Sequence, residues 1–189
     1  MKYDKSYLRK SFILQRSKKH STVKKFNYNL IFKLIKKHFQ SKKITIGGYY
    51  PSNYEVNILK FLEKASEKNF RISLPVIKPS NKMSFKSWVF KDPLYVNKFG
   101  ILEPKNSRNE TIPDLIMVPL VAFDKYLNRI GYGKGYYDRS LKKVSKIKKN
   151  VISLGVAYSF QKCQKISINK HDVKLDYIFT EQGIISSNQ

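Results

Sequence analysis

The sequence predicts an α/β fold, a single-domain three-layer sandwich in which helices flank a mostly parallel sheet. Short apolar runs rich in β-branched residues alternate along the chain with amphipathic runs of helical period, an order typical of strands joined by helices. The length of 189 residues suits one domain with a sizeable core. Because ligands of such sheets bind at the carboxyl ends of the strands, we expect the functional site there.

Two helices are predicted before the first strand, over residues 2–18 and 22–40, from the helical spacing of their apolar residues. In the first helix, Lys5 and Arg9 are four residues apart and therefore project from one face. Taken alone, this pair indicates an ordinary solvated basic face.

The strands of the sheet are predicted from short apolar runs. These runs cover residues 44–50, 70–77 with an end at Pro75, 83–90, 115–118, 151–156 and 177–180. Gly47 and Gly48 in the first run indicate that another element packs close to the backbone there. Ser52 and Glu55, which follow it, have capping-box spacing, which by itself favours a helix cap over a functional carboxylate. The polar residues 105–113 predict a surface loop.

A glycine-rich loop after the 115–118 strand is the most informative stretch. Arg129 is followed by Gly131, Gly133 and Gly135, and a helix is predicted from Tyr136 onward. Alternating glycines allow positive φ and a close approach of a ligand to the main chain. The amide groups at the start of the helix would point back into the loop, which suits a phosphate. Neither a Walker loop nor a dinucleotide fingerprint matches the spacing.

The charged neighbours of these glycines favour anion binding over an ordinary turn. Arg129 and Lys134 can bind anionic oxygens, Arg139 adds a third cation, and Asp138 is a possible metal ligand.

Positive charge dominates the whole chain, which carries 38 Lys and Arg against 13 Asp and Glu, a formal net charge of +25. Such a charge attracts polyanions, so a nucleic-acid partner has to be considered. The abundance of Lys, Asn, Ile, Phe and Tyr throughout also indicates an A/T-rich coding sequence, and a third interpretation is steering of an anionic small molecule. The single cysteine, Cys163, excludes an intrachain disulfide. The absence of a signal-like or membrane-spanning apolar stretch predicts a cytoplasmic protein.

The run VAFDKYLNRIGYGKGYYDR, residues 121–139, resembles the signature of the 5-formyltetrahydrofolate cyclo-ligase family, also called methenyltetrahydrofolate synthetase. The similarity extends over nearly the whole chain. It implies one cyclo-ligase-like domain over residues 1–189, with a basic helical N-terminal region at residues 1–43. It also implies an enzyme that uses ATP and Mg²⁺ to cyclise 5-formyltetrahydrofolate to 5,10-methenyltetrahydrofolate, through phosphorylation of the formyl oxygen and release of ADP and phosphate.

The resemblance implies a role for each candidate site residue. The catalytic residues would be Arg129, Tyr137 and Asp138. The ATP-binding residues would be Lys5, Arg9, Arg129, Gly131, Tyr132, Gly133, Lys134, Gly135, Tyr136, Tyr137 and Asp138. The substrate would be bound by Tyr50, Glu55 and Tyr136, and the metal by Asp138 and Asp172. The partners would be the two small-molecule substrates, and we expect a monomer without a membrane or nucleic-acid partner.

Two alternatives to the cyclo-ligase remain. The first is a family member that keeps ATP binding but acts on a changed substrate, because Asn57, Ile58 and Leu127 depart from residues that are common in the family. The second is a basic nucleic-acid-binding protein, supported by charge and aromatic residues alone. Neutral substitution of Asp138 distinguishes the second alternative from the enzyme. It should abolish ATP turnover if the protein is the enzyme, and it should leave nucleic-acid binding intact or stronger if the protein binds nucleic acid.

Overall fold

Helices and strands make up about half of the chain in the computed structural model, which describes residues 4–23, 25–40, 43–79, 82–105 and 107–187. The helices are α1 (Lys5–Lys19), α2 (Asn29–Phe39), α3 (Leu59–Glu67) and α4 (Tyr136–Ile147), with short 3-10 turns at His20–Thr22 and Ser159–Gln161. The strands are β1 (Thr45–Gly47), β2 (Arg71–Ile77), β3 (Met83–Ser87), β4 (Tyr95–Val96), β5 (Leu102–Glu103), β6 (Glu110–Thr111), β7 (Leu115–Pro119), β8 (Ala122–Phe123), β9 (Arg129–Ile130), β10 (Ile152–Val156), β11 (Tyr177–Thr180) and β12 (Gly183–Ser186).

Eight of the strands form one sheet in the order β12-β11-β10-β7-β1-β2-β3-β6. The central strands from β11 to β2 pair in parallel, whereas β12, β3 and β6 join antiparallel at the two sides. Strands β4 and β5 form one small two-stranded sheet, and β8 and β9 form another. The predicted α/β class with a mostly parallel sheet is confirmed.

Apolar residues of β7 show how the sheet lies between two helical layers. Leu115 and Met117 belong to the core cluster that contains the buried faces of α2 and α3. Ile116 and Val118 belong to the cluster that contains the buried face of α4. Because successive side chains of a strand point to opposite faces, an unbroken apolar strand is what a sheet covered on both sides requires.

The N-terminal helices begin later than the sequence predicts. Helix α1 begins at Lys5, and the predicted helical residues 2 and 3 lie outside the described residues, as do residues 1, 24, 41 and 42 of the basic region. Helix α2 begins at Asn29 instead of residue 22, because the side-chain oxygen of Asn27 accepts a hydrogen bond from the Asn29 amide at 3.2 Å. Within the described ranges, no helix combines the length and the apolar character that a membrane span requires.

The predicted end of the second strand at Pro75 is wrong, because β2 continues to Ile77. The Arg71 amide donates to the Ile44 carbonyl, so alternate N–H groups of β2 face β1. Pairing with β1 stops at Ser73, and the nitrogen of Pro75 therefore faces a side without a ladder partner. A proline costs no sheet hydrogen bond at such a position.

Part of the predicted surface loop over residues 105–113 also belongs to the sheet. The Glu110–Thr111 segment pairs with β3, in a register that aligns Phe85 with Thr111. The pairing is only two residues long and lies at the edge, so its polar residues give no strand pattern in the sequence.

A close approach of other side chains to Gly47 is confirmed. A Cβ atom at this position would lie 2.9 Å from both Phe85 Cε1 and Pro113 Cγ. We expect Gly47→Ala to lower the free energy of unfolding by about 1–3 kcal/mol, because overpacking forces neighbours to shift. Gly131→Ala is the matched control, since no atom lies within 4 Å of its added methyl. Urea unfolding measures both variants, and equal midpoints for the two would contradict the packing argument.

Candidate active site

A cavity of about 490 Å³ lies at the carboxyl ends of the central strands. Pro119 at the end of β7, Tyr49 and Tyr50 after β1, and Ile77 at the end of β2 all line it. The structure thus has a cavity at the place where a parallel sheet of this kind binds its ligands.

Every residue named from the sequence as catalytic, ATP-binding, substrate-binding or metal-binding lines this cavity, although the residues come from distant parts of the chain. They are Lys5, Arg9, Tyr50, Glu55, Arg129, Gly131, Tyr132, Gly133, Lys134, Gly135, Tyr136, Tyr137, Asp138 and Asp172. The fold therefore brings the whole candidate set together.

The glycine loop turns directly into α4. Gly133 has φ 95° and Gly135 has φ 65°, left-handed values that glycine adopts without strain. Gly135 is the N-cap of α4, and among the described residues no side chain caps that end of the helix. The first-turn amides are therefore available to an anionic ligand.

Asp124 holds the bend that precedes this loop, a role that sequence reasoning missed. Its fully buried carboxylate accepts hydrogen bonds from the Tyr126 amide at 2.9 Å, the Asn128 amide at 3.0 Å and the Ile166 amide at 3.0 Å. An Asp followed by Asn four residues later in a turn was the signal for it. The anchored bend sets where Arg129 enters the cavity.

Arg129 lies at the centre of a compact ionic group. It is only 9% exposed, and it donates from Nη1 to the Val173 carbonyl at 2.5 Å and from Nη2 to Asp138 Oδ1 at 2.7 Å. The same Asp138 oxygen accepts from the Val173 amide at 3.0 Å. Burial lowers the pKa of Arg129, while the Asp138 and Asp172 carboxylates oppose that shift. These contacts fix one face of the guanidinium and leave further donors for a ligand.

Lys5 and Arg9 of α1 both line the cavity and contact other residues of the site, so the interpretation as a solvated basic face is wrong. Lys5 Nζ lies 2.5 Å from Asp172 Oδ2, and Arg9 Nε donates to the Gly131 carbonyl at 2.8 Å. Burial alone would raise the pKa of Asp172, but the Lys5 ammonium and the Asn169 amide bring it below its ordinary value. Asp172 is therefore an anion at neutral pH.

Glu55 is not a helix cap, because α3 begins only at Leu59. It ends a tight turn in which its own amide donates to the Ser52 carbonyl at 2.9 Å. Its Oε2 accepts from the Ser52 amide at 2.9 Å, and its Oε1 accepts from the Tyr132 hydroxyl at 2.9 Å. Glu55 is 9% exposed and lines the cavity. Burial raises the pKa of Glu55, although Ser52, Arg16 and Tyr132 partly offset the rise.

The raised pKa of Glu55 predicts a pH-dependent stability difference between the wild-type protein and Glu55→Gln. A raised folded-state pKa contributes stability that is fully present below the ordinary pKa of glutamate and is lost as the pH rises through the folded value. Gln does not titrate, so the stability of Glu55→Gln relative to wild type should increase from the ordinary glutamate pKa toward neutral pH. Urea unfolding across this range measures the difference, and a constant difference would contradict the burial argument.

Aromatic side chains form another part of the cavity wall. Tyr136 and Phe99 lie edge to face with ring centroids 6.1 Å apart, and both line the cavity together with Tyr49. Burial raises the pKa of Tyr137, which keeps its hydroxyl protonated and able to donate. Tyr49 and Phe99 were not predicted as site residues, because isolated aromatics in a sequence do not distinguish a cavity wall from core.

The departures from common family residues lie outside the cavity wall. Asn57 is exposed and its side chain accepts from the Leu59 amide at 3.0 Å, which helps to begin α3. Ile58 and Leu127 are fully buried. Leu127 adopts φ 64°, a left-handed conformation that glycine takes more readily than leucine.

Comparisons of the sequence with known proteins match one family, the 5-formyltetrahydrofolate cyclo-ligases, over nearly the full chain. The sequence model of the 5-formyltetrahydrofolate cyclo-ligase family matches residues 1–181. The 5-formyltetrahydrofolate cyclo-ligase of Haemophilus influenzae is 32% identical over 168 residues, which cover 86% of this chain and 85% of that protein. The cyclo-ligase of Mycoplasma pneumoniae is 30% identical over 186 residues, covering 95% and 99% of the two chains.

Solved structures give the same result. The NMR structure of Aquifex aeolicus 5,10-methenyltetrahydrofolate synthetase has a TM-score of 0.74 at 29% identity and covers 98% of this chain and 93% of that one. The 5,10-methenyltetrahydrofolate synthetase of Mycoplasma pneumoniae has a TM-score of 0.69 at 26% identity, with 95% and 99% covered.

Proposed function

Since the chain belongs to the 5-formyltetrahydrofolate cyclo-ligase family, whose members are ligases of folate metabolism, we propose that it closes 5-formyltetrahydrofolate to 5,10-methenyltetrahydrofolate at the expense of ATP. The observation that carries the proposal is the composition of one cavity. Its lining combines the cations Arg129 and Lys5 and the glycine loop with Glu55 and aromatic rings. A reaction between a nucleotide phosphate and a heterocycle requires both sets of groups in one enclosure.

The chemical difficulty is that the formyl oxygen is a poor leaving group. Transfer of the γ-phosphoryl group of ATP to this oxygen releases ADP and converts the oxygen into part of a phosphate ester. Nitrogen 10 then attacks the formyl carbon, the carbon–oxygen bond breaks, phosphate leaves and nitrogen 10 loses its proton. The net change is ring closure coupled to cleavage of ATP to ADP and phosphate, and the released phosphate carries the former formyl oxygen.

Phosphoryl transfer requires positioning and charge neutralisation more than covalent participation of the protein. We assign Arg129, Lys5 and Arg9 to the phosphate oxygens, together with the amides of residues 131–135 and the ammonium of Lys134. Arg129 already has a fixed orientation through Val173 and Asp138, so little reorganisation is needed when charge develops. Tyr136 and Tyr137 would bound the reacting groups and exclude water.

Asp138 and Asp172 fit a magnesium ion that is shared with phosphate. In the described residues, no group of three or more His, Cys, Asp and Glu side chains is arranged as a metal site. Mg²⁺, however, is usually held by one or two carboxylates plus substrate phosphates, and both aspartates line the cavity together with the glycine loop. A bound magnesium ion would supply further neutralisation of phosphate charge, and these two carboxylates would hold it.

Tyr50, Glu55 and Tyr136 are assigned to the folate. Glu55 is the one of these with a fixed acceptor position, because Ser52 and Tyr132 hold its two oxygens. A carboxylate in this setting suits the N–H groups of a reduced pterin ring, and the neighbouring tyrosines offer flat surfaces for it.

The proposal is tested with purified protein, 5-formyltetrahydrofolate, ATP and Mg²⁺, by following the absorbance of the methenyl product. Product is expected only in the complete mixture, and omission of ATP or Mg²⁺ should remove it. Folded protein that binds ATP without forming product would overturn the folate assignment and favour a changed substrate. Folded protein that does not bind ATP would overturn the phosphate assignment as well.

A further inference from the structure

Helix α1 carries one buried residue, and that residue is an arginine. Arg16 is 1% exposed, whereas Tyr7 and Leu14 of the same helix are 59% and 57% exposed. Burying a guanidinium is costly unless hydrogen bonds and an anion compensate. A fully buried cation on an otherwise weakly buried helix therefore requires an explanation.

The contacts of Arg16 lead to the active site without Arg16 lining it. Its Nη1 donates to the Leu120 carbonyl at 3.1 Å, and its Nη2 donates to the Tyr132 hydroxyl oxygen. Tyr132 in turn donates to Glu55 Oε1 at 2.9 Å. Tyr132 and Glu55 line the cavity. Arg16, Tyr132 and Glu55 thus form a series of hydrogen bonds that runs from α1, through the glycine loop, to Glu55 in the cavity.

The donor and acceptor capacities of the side chains fix the direction of the hydrogen bonds in this series. A guanidinium only donates, so the Tyr132 oxygen must accept from Arg16. The phenol has a single proton, and that proton is then directed to Glu55. Hydrogen bonds in series also polarise one another, which strengthens each of them.

We propose that Arg16 is a positioning residue, which orients the Tyr132 hydroxyl toward Glu55 and thereby favours the carboxylate form of Glu55 as an acceptor for the substrate. The link to substrate rests on the proposed function, whereas the link between Arg16 and Glu55 does not. Tyr132 in the glycine loop donates its hydroxyl to Glu55. Burial raises the pKa of Tyr49 after β1, Tyr137 in α4 and Tyr158 after β10, and the charge of Glu55 adds to each rise. The positive charge of Arg16 acts on Glu55 to lower its pKa.

If Arg16 had a purely structural role, its substitution would lower stability without changing Glu55. Gln161 provides the matched control for such a role. Gln161 is also 1% exposed, and its Nε2 donates to the same Leu120 carbonyl at 3.0 Å and to the Val121 carbonyl at 2.7 Å. Within the described part of the chain, its hydrogen bonds reach Tyr158, Leu120 and Val121 and not Tyr132 or Glu55. Gln161→Met should therefore lower stability without changing Glu55.

The first measurement is the titration of the Glu55 carboxyl carbon by NMR in protein labelled with ¹³C-glutamate, assigned with Glu55→Gln. Arg16→Met and Tyr132→Phe should both move the midpoint to higher pH, because each removes a group that stabilises the carboxylate. Arg16→Lys, which keeps the charge but not the planar fork, should move it less. Gln161→Met should not move it. If Arg16→Met fails to fold, Tyr132→Phe and Arg16→Lys still decide the question.

The second measurement compares the effect of Arg16→Met on the KM values of the two substrates. In Arg16→Met, the KM for 5-formyltetrahydrofolate should rise about tenfold or more, the loss expected for a hydrogen bond to a charged group, with little change in the KM for ATP. In a Tyr132→Phe background the same change should add less than about twofold, since residues in one network are not additive. Equal effects of Arg16→Met and Gln161→Met on the Glu55 titration would overturn the proposal. A wild-type protein without cyclo-ligase activity would overturn the proposed function, and the titration would still test Arg16.

Discussion

Arg129→Gln is expected to lower kcat/KM for the cyclo-ligase reaction by about 100-fold to 1,000-fold or more, the loss typical for removal of a preorganised charge donor. The guanidinium is buried, is held by Val173 and Asp138, and faces the cavity. Glutamine removes the cation from a position where the γ-phosphoryl group would carry developing charge. It also leaves Asp138 without its ion-pair partner, so some loss of stability should accompany the loss of activity.

Arg129→Lys separates charge from geometry at this position. Lysine keeps the positive charge but cannot reproduce the planar fork that donates to the Val173 carbonyl and to the Asp138 carboxylate at the same time. We expect activity between those of wild type and Arg129→Gln, measured as initial rates at saturating and limiting ATP. Arg108→Gln is the control, because Arg108 pairs with Asp92 at 2.8 Å with 46% of its side chain exposed. An Arg129→Gln protein as active as Arg108→Gln would remove Arg129 from the mechanism.

Asp138→Asn should reduce kcat/KM by about 100-fold or more, since a bound metal ion supplies several kcal/mol of charge stabilisation. Asparagine has the same shape, so its side-chain oxygen can still accept from Arg129 and from the Val173 amide. The fold should therefore persist while the negative charge for Mg²⁺ is lost. Activity measured against Mg²⁺ concentration should show a higher requirement for the ion.

Asp176→Asn is the matched control for this substitution. The Asp176 carboxylate accepts from the Ser153 amide at 2.8 Å and from the Ser153 hydroxyl at 2.7 Å, so its substitution tests stability without touching the cavity. Normal Mg²⁺ dependence in Asp138→Asn would show that Asp138 is not a metal ligand. The same variant separates the enzyme from a nucleic-acid-binding protein, because removing a carboxylate should leave binding to a polyanion intact or stronger.

The local pattern around the glycine loop was sufficient to predict its local structure. The strand over 115–118 and the helix beginning at Tyr136 are both confirmed, within one residue. Such features depend on backbone preferences and on apolar period, which neighbouring residues in the sequence determine. The fold class followed for the same reason, since alternating apolar strands and amphipathic helices leave few ways to bury a core.

The edge strands and the end of the second strand were predicted less well. The Glu110–Thr111 and Gly183–Ser186 strands join the sheet only at its sides, and Pro75 is tolerated because β1 has already ended. In each case the pairing partner, and not the local sequence, decides whether a residue belongs to a strand.

The sequence by itself determined the chemical types at the site: the alternating glycines, the cations around them and the carboxylate at the start of α4. The tertiary structure alone decided what those groups contact. It placed Lys5 against Asp172, 167 residues away, turned Glu55 from an expected helix cap into a cavity acceptor, and buried Arg16 behind Tyr132. The physical reason is that local preferences fix backbone conformation over a few residues, whereas the pairing of buried charges depends on which surfaces meet when helices pack against the sheet.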